Sequence, residues 1–395
     1  MTVRYFLIFC IVSIQPSLRG TKGSLLLTLL LLFLLFFWNL NIELRQKLIS
    51  SKKPILVLCL LFFISYVRGL VGGSINITTF FISLFTLVLS IRMLIDDFEK
   101  AGFLNAVFRG LALVVVLNLV FFAFGVQGFK LNNINLEVET NVRVLEIFGV
   151  GLSRVKFLFS PNYAYYAMIL GVLIIFREYV GKYKKLILIV SVVSLLLNDA
   201  RGPILYLIIS FLFSRAKWSS RSFVFYTSLF LIIPLPIILD FLSNNYLDPE
   251  EVSNASSFRS LIWLSFLLNY NPSPSDFLFG YGYVGQMLSE ISYYYKYLFS
   301  SWENGEKISL HNAYLQYMVD YGLVGLICLF YIIRQIFISW EKDKIAVWFL
   351  TYIVMLGSTD LTIQPNNMLL LLLFFGIYLG YNKRINIERE IDESL

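Results

Sequence analysis

Gly102-Phe-Leu-Asn-Ala-Val-Phe-Arg109-Gly-Leu-Ala-Leu-Val-Val-Val-Leu-Asn118-Leu-Val-Phe-Phe-Ala-Phe-Gly125 carries one charge, Arg109, in an otherwise apolar run. A run of this length matches the roughly 20 helical residues needed to cross a hydrocarbon core of about 30 Å. Arg109 lies about two turns from one end, close enough for its aliphatic stem to carry the guanidinium to the interface. The stretch therefore reads as a membrane-spanning helix, and the rest of the chain agrees. Hydrophobic residues make up 58% of the 395 and charged residues 14%. Mean hydropathy is +0.75, well above that of a soluble globular domain and suited to a polytopic membrane protein.

Working outward by the same length criterion gives about twelve apolar spans, near 3–17, 24–40, 54–71, 76–92, 102–125, 160–177, 185–198, 203–214, 222–240, 312–334, 344–360 and 367–381. The expected fold is an all-α polytopic bundle with one large loop containing short helices. The first span follows Arg4 and looks like a signal peptide, yet no small-x-small cleavage site precedes Arg19 and Lys22, so it reads as an uncleaved helix. Basic connections set the orientation. Arg45, Lys47, Lys52 and Lys53 share one; Arg177, Lys182, Lys184 and Lys185 a second; Arg215, Lys217 and Arg221 a third; Lys342 and Lys344 a fourth. With twelve spans these fall on one side together with both termini, and the positive-inside rule makes that side cytoplasmic. Arg19 and Lys22 are the exception. The net charge of +7 thus reflects cytoplasmic loops and not a nucleic-acid surface. Cys10, Cys59 and Cys328 each lie inside an apolar run, which suggests neither a disulfide framework nor a metal site.

This organisation divides the chain into spans one to nine at 1–240, a large external loop at 241–311, the last three spans at 312–381 and a cytoplasmic tail at 382–395. A smaller external loop falls at 126–159. A loop of about seventy residues is too long for a turn and reads as functional. Within it Arg259–Leu268 has a helical pattern, Pro272-Ser-Pro274-Ser-Asp276 breaks the chain, and Gly280-Tyr-Gly282-Tyr-Val-Gly285 permits tight turns or close approach to a ligand. No strand precedes these glycines, so a nucleotide fingerprint does not apply. Tyr293, Tyr294, Tyr295 and Tyr297 read either as an interfacial aromatic belt or as a sugar-stacking surface.

His311, the only histidine, opens the stretch that runs from this loop into the tenth span. It is either a general base or proton relay at the bundle mouth, or a solvated interfacial residue at a helix end. Cations on the external side are the other outliers: Arg154 before Pro161-Asn162, Arg201 in the tight connection Asn198-Asp199-Ala-Arg201-Gly202-Pro203, and Arg259 four residues before Trp263. Each sits near a helix end, where snorkelling to lipid headgroups competes with a binding role. Arg201 is held at the surface by a short hairpin, in a position suited to bidentate recognition of phosphate, with Asp199 as the competing ion-pair partner.

Taken in order, His311-Asn312-x-x-Leu315 with Gly322 and Gly325, Arg201-Gly202 at an outer hairpin, Arg259 with Trp263, and Gly280-x-Gly282 resemble the O-antigen polymerases of the Wzy type and the O-antigen ligases that share their large-loop domain. The likeness runs from about residue 150 to 335. It departs from the family at Phe157, where a glycine is common. The resemblance implies a GT-C-like, metal-independent, inverting glycosyltransferase of the bacterial inner membrane that uses no cofactor. Its donor would be an undecaprenyl-diphosphate-linked oligosaccharide at the periplasmic face, with a chain-length regulator and a flippase as candidate partners. On that reading His311 is the base and Arg201, Arg259 and Arg154 hold the diphosphate. Asn312, Trp263, Gly280 and Gly282 are further substrate contacts. No Ser, Cys or Lys nucleophile with an adjacent base is evident, so direct displacement is preferred. A polymerase extends a lipid-linked repeat unit and a ligase moves glycan to lipid A-core; the Phe-, Tyr- and Ile-rich character inclines the reading to the polymerase. A transporter or flippase is the third reading, opposed by the scarcity of ionisable groups at mid-membrane.

Overall fold

The structure is a computed structural model, and it describes residues 9–10, 53–81, 83–85, 102–126, 128–131, 134–145, 150–159, 163–198, 201–216, 225, 259–296, 309–340 and 342–359. Helices α1 (Lys53–Val71), α2 (Gly102–Ala123), α3 (Tyr163–Ile175), α4 (Lys184–Leu197), α5 (Arg201–Arg215), α9 (Ala313–Trp340) and α10 (Lys344–Gly357) occupy seven of the expected apolar spans. Between α5 and α9 lie α6 (Arg259–Asn269), α7 (Pro274–Phe279) and α8 (Gly285–Leu288). The spans read near 24–40 and 367–381 lie outside the described residues, as does all of 222–240 except Phe225. Segments 102–125 and 312–334 are confirmed as helices long and apolar enough to cross a membrane, realised as Phe103–Ala123 and Ala313–Trp340. In contrast α3, α4, α5 and α10 run only 13 to 15 residues, short of the roughly 20 that a perpendicular crossing takes.

The described residues are mostly helical, but the all-α expectation fails at 126–159. That stretch forms two antiparallel hairpins, β1 (Gly128–Leu131) with β2 (Ile134–Glu137), and β3 (Glu139–Leu145) with β4 (Val150–Lys156). The physical reason is the period. Thr140, Val142 and Val144 alternate with Glu139, Asn141 and Arg143, a period of two that suits a pleated ribbon and not a helix.

α3 is the central helix: every residue from Tyr165 to Phe176 is buried. A helix apolar on all sides has no solvent face to present, and neighbours enclose it. α2, α4, α5 and α10 all pack on it. Polar side chains then fix the register inside this apolar core. The Tyr352 hydroxyl of α10 donates to the Ala167 carbonyl at 3.1 Å, and the Trp348 indole donates to the Leu207 carbonyl of α5 at 3.1 Å. Asn118 of α2 accepts from the Phe159 amide at 2.7 Å, and Asn198 at the end of α4 donates to the Tyr163 carbonyl at 2.8 Å. Each bond satisfies a group that would be costly to bury alone.

These bonds also define two ends of the bundle. The starts of α3, α5 and α9 and the finishes of α2, α4 and α10 share one end. At the other lie the 3-10 helix Arg177–Tyr183, the start of α4 with Lys184 and Lys185, Arg215 at the finish of α5, and Lys342 and Lys344 between α9 and α10.

Candidate functional site

The first end gathers the residues that the sequence singled out. Asn312 caps α9: its Oδ1 accepts from the amides of Tyr314 and Leu315 at 3.0 and 3.1 Å, the arrangement that Asn favours at a helix start. Its Nδ2 donates to the Ser358 carbonyl just beyond α10 at 2.9 Å. The same residue meets α5, because the Tyr206 hydroxyl lies 3.4 Å from Ser358 Oγ. Gly202, next to Arg201, lies against the Thr359 hydroxyl. Hence the His311-Asn312 turn and the Arg201-Gly202 turn meet at one corner, the finish of α10. Arg201 is exposed there.

Arg259 reaches the same corner by another route. It is the first residue of α6, one turn before Trp263 and on the same helical face. Trp263 is buried, and its indole donates to the Leu310 carbonyl at 2.8 Å, the residue before His311. Ile262, Phe266, Ile291, Tyr295, Leu310 and Val319 pack around it as one cluster.

His311 itself has φ +50° and a partly buried ring. A non-glycine residue in this left-handed region costs roughly 1–3 kcal/mol and persists only where its surroundings over-determine it. They do so on both sides. The Leu310 amide donates to Gln316 Oε1 at 3.2 Å, the Leu310 carbonyl is held by Trp263, and Asn312 is held by α9 and Ser358.

Behind the turn lies a polar network that sequence reasoning missed. Gln316 Nε2 donates to Asp320 Oδ1 at 2.9 Å and to Gln286 Oε1 at 2.7 Å; the Gly285 amide donates to Asp320 Oδ1 at 2.8 Å. All three side chains are buried. Asp320 sits just ahead of a break in α9 at Gly322, whose φ is +68°. The break frees the carbonyls of Val319 and Asp320, which accept from the amides of Tyr281 and Gly282 at 2.8 and 2.9 Å. A discontinuous apolar helix is tolerated only where other protein groups take over its backbone bonds, and here the Gly280-Tyr-Gly282 turn does so. The turn is pinned on α1 as well. The Tyr283 amide donates to the Ser65 carbonyl at 3.0 Å, and Arg68 pairs with Asp276 at 2.9 Å. Asp276 in turn belongs to the first turn of α7, capped by Ser273 with Pro274 at its start, so the segment read as a chain break opens a helix.

Four expected substrate contacts therefore face inward. Asn312 and Trp263 spend their polar groups on the fold. Gly280 and Gly282 approach helix backbones, Asp320–Tyr321 and Arg68–Gly69, where the sequence allowed approach to a ligand. Arg154 lies in β4 opposite Asn141, and β4 touches α4, which leads to Arg201. Phe157, the departure from the family pattern, is buried against Phe122 and Tyr166. Of the tyrosine run, Tyr295 is core while Tyr293 and Tyr294 are exposed, and Tyr297 lies outside the described residues. Burial is the main cause pushing the phenols of Tyr270, Tyr281 and Tyr295 up from their ordinary range; these groups stay protonated near neutral pH and do not serve as bases.

No curated protein matches the chain. Residues 186–330, from α4 through the loop helices and the break in α9, match the family Wzy_C, described as O-Antigen ligase. That match spans the Arg201, Arg259 and His311 elements, so this part of the chain is similar to the O-antigen ligase family, and the mostly helical bundle with its two long apolar helices is in keeping with a membrane protein.

Proposed function

We propose that the protein is a surface-polysaccharide polymerase that transfers undecaprenyl-diphosphate-linked glycan onto a lipid-linked repeat unit at the periplasmic face of the bacterial inner membrane. The observation that carries this reading is the corner at the finish of α10, where turns bearing Arg201 and His311 meet and where α6 brings Arg259. Such chemistry needs positive charge for a diphosphate leaving group and a base for a sugar hydroxyl. In the proposed step the acceptor hydroxyl oxygen attacks the anomeric carbon of the donor and the bond from that carbon to the diphosphate breaks. Arg201 and Arg259 take the charge growing on the departing lipid diphosphate, with Arg154 as a third cation. His311 takes the acceptor proton. The arginines supply the positive charge in this scheme, the configuration at the anomeric carbon inverts, and no covalent enzyme intermediate forms.

The orientation belongs to the same proposal. The cations at the far end of the bundle, Arg177, Lys182, Lys184, Lys185, Arg215, Lys342 and Lys344, favour a cytoplasmic side there, which leaves the His311 corner outside and both termini inside. Cysteines placed at Ser253 in the loop and Ser394 in the tail test it. In intact spheroplasts an impermeant thiol reagent should label the first and spare the second; the reverse pattern would overturn both topology and function.

A ligase reading has its own support, since the matched family is described by that activity. Deleting the gene separates the two. Loss of a polymerase leaves single repeat units capped on lipid A-core; loss of a ligase leaves free lipid-linked polymer beside bare core. An unchanged glycan profile would remove both readings. The chain-length regulator and flippase remain proposed partners.

A further inference from the structure

The end of the bundle opposite His311 carries a groove of about 510 Å³ between α2, Phe9 and the Val180–Ile187 stretch, which includes the start of α4. That volume falls in the range of ligand pockets, roughly 300–1,000 Å³. Leu113 and Val116 of α2 and Leu186 and Ile187 of α4 form apolar walls, and Arg109 and Lys182 bring charge to it from two different elements. Gly181 is the reason the cations meet. Its φ of +73° and ψ of −131° turn the 3-10 helix, a conformation open to glycine. The turn sets Gly181 beside the Arg109 guanidinium with Lys182 next in the chain. The segment is fixed to α2 by Tyr179, whose ring stacks on Phe108 at 5.3 Å between centroids.

Among the described residues no carboxylate lines the groove, and the adjacent Glu178 is taken by Lys184 at 2.7 Å. Lys182 also lies 5.1 Å from the centre of the Tyr183 ring, an aromatic group of the type that sits at headgroup level. A free anion would have no use for the apolar walls, and a neutral acyl chain none for two cations. Snorkelling explains an isolated arginine, but not a lysine brought to the same place by a glycine turn on a second element. Basic pockets between membrane helices accept phosphate headgroups with the chain along the helix faces.

We propose that this groove binds an anionic phospholipid of the bilayer, its phosphate between Arg109 and Lys182 and one acyl chain along Leu113, Val116, Leu186 and Ile187. The site is separate from the His311 corner, so it serves the protein's seating in the membrane and not the transfer step. Native mass spectrometry of the full-length protein in neutral detergent, titrated with phosphatidylglycerol or phosphatidylcholine, tests it. The wild type should retain phosphatidylglycerol in preference, and the double variant Arg109→Gln with Lys182→Gln should weaken that binding roughly 30-fold. Exchanging the cations, Arg109→Lys with Lys182→Arg, should keep the preference, and so should Arg215→Gln, at the same end but outside the groove lining. Equal retention of the two lipids by the wild type, or an undiminished preference in the Gln double variant, would overturn the site. If a polyprenyl phosphate outcompetes phosphatidylglycerol and loses that advantage in the Gln double variant, the groove is a donor-lipid site and the phospholipid assignment fails.

Discussion

His311→Asn should lower the rate of glycan transfer between lipid-linked units by roughly two orders of magnitude, at the lower end of what general-base catalysis contributes. Asparagine is the informative replacement because it tolerates positive φ better than other non-glycine residues, and His311 has φ +50°. It therefore keeps the turn between Trp263 and Asn312 while removing the imidazole. His311→Gln should lose as much activity with some backbone strain added. The loss should fall on the turnover rate with little change in donor binding, since proton removal is made only in the transition state. Arg201→Lys, in the same purified assay, keeps charge but lacks the planar fork and should also lose activity. Near wild-type turnover for His311→Asn would show that the proton is handled elsewhere and reduce His311 to a strained turn residue.

The parts of this candidate site that the sequence singled out were the outliers in type and place. A single histidine, and arginines at the mouths of apolar spans, stand out against a composition that is 58% hydrophobic. Helix existence was legible for the same reason, from apolar runs, although among the described helices only those at Phe103–Ala123 and Ala313–Trp340 match a bilayer in length. What length could not reveal was contact between distant segments. Gly322 in an apolar run reads as a tolerated glycine; it is a helix break because Gly280, 42 positions earlier in the sequence, crosses it. Asp320 reads as an isolated acid on an apolar helix, and only the fold shows the Gly285 amide and Gln316 that satisfy it. The pairing of Arg68 with Asp276 could not be read, since an ion pair across 208 positions leaves no local pattern. The hairpins were different. The alternation is visible at 139–145, but a length criterion for apolar runs passes over period two.

The second large effect belongs to the Gly280–Gly322 crossing, where Gly280→Ala or Gly322→Ala should destabilise the protein by about 3 kcal/mol or more. Part of this is the backbone, which at φ +72°, ψ 177° for Gly280 and φ +68°, ψ −169° for Gly322 lies in a region essentially reserved for glycine and costs an L-residue about 1–3 kcal/mol. The remainder is collision. A Cβ on Gly280 would run into the backbone of Asp320 and Tyr321, and one on Gly322 into the Leu278 carbonyl. Backbone atoms cannot rotate aside, so the turn must lift from α9 and release the Tyr281 and Gly282 amides, each bond contributing roughly 0.5–1.5 kcal/mol. Gly125→Ala is the control for positive φ without collision, because Gly125 has φ +68° with nothing within 4 Å of an added Cβ. In detergent the Tm of Gly280→Ala should fall well below that of Gly125→Ala, and equal shifts would show that the crossing contributes nothing beyond backbone strain. Activity should follow stability at this position. Lifting the turn withdraws the Gly285 amide from Asp320 and Gln286 from Gln316, and Gln316 is the residue that holds the Leu310 amide beside His311. Transfer per folded molecule should therefore drop in Gly280→Ala even at temperatures where the bundle survives, whereas Gly125→Ala should keep it.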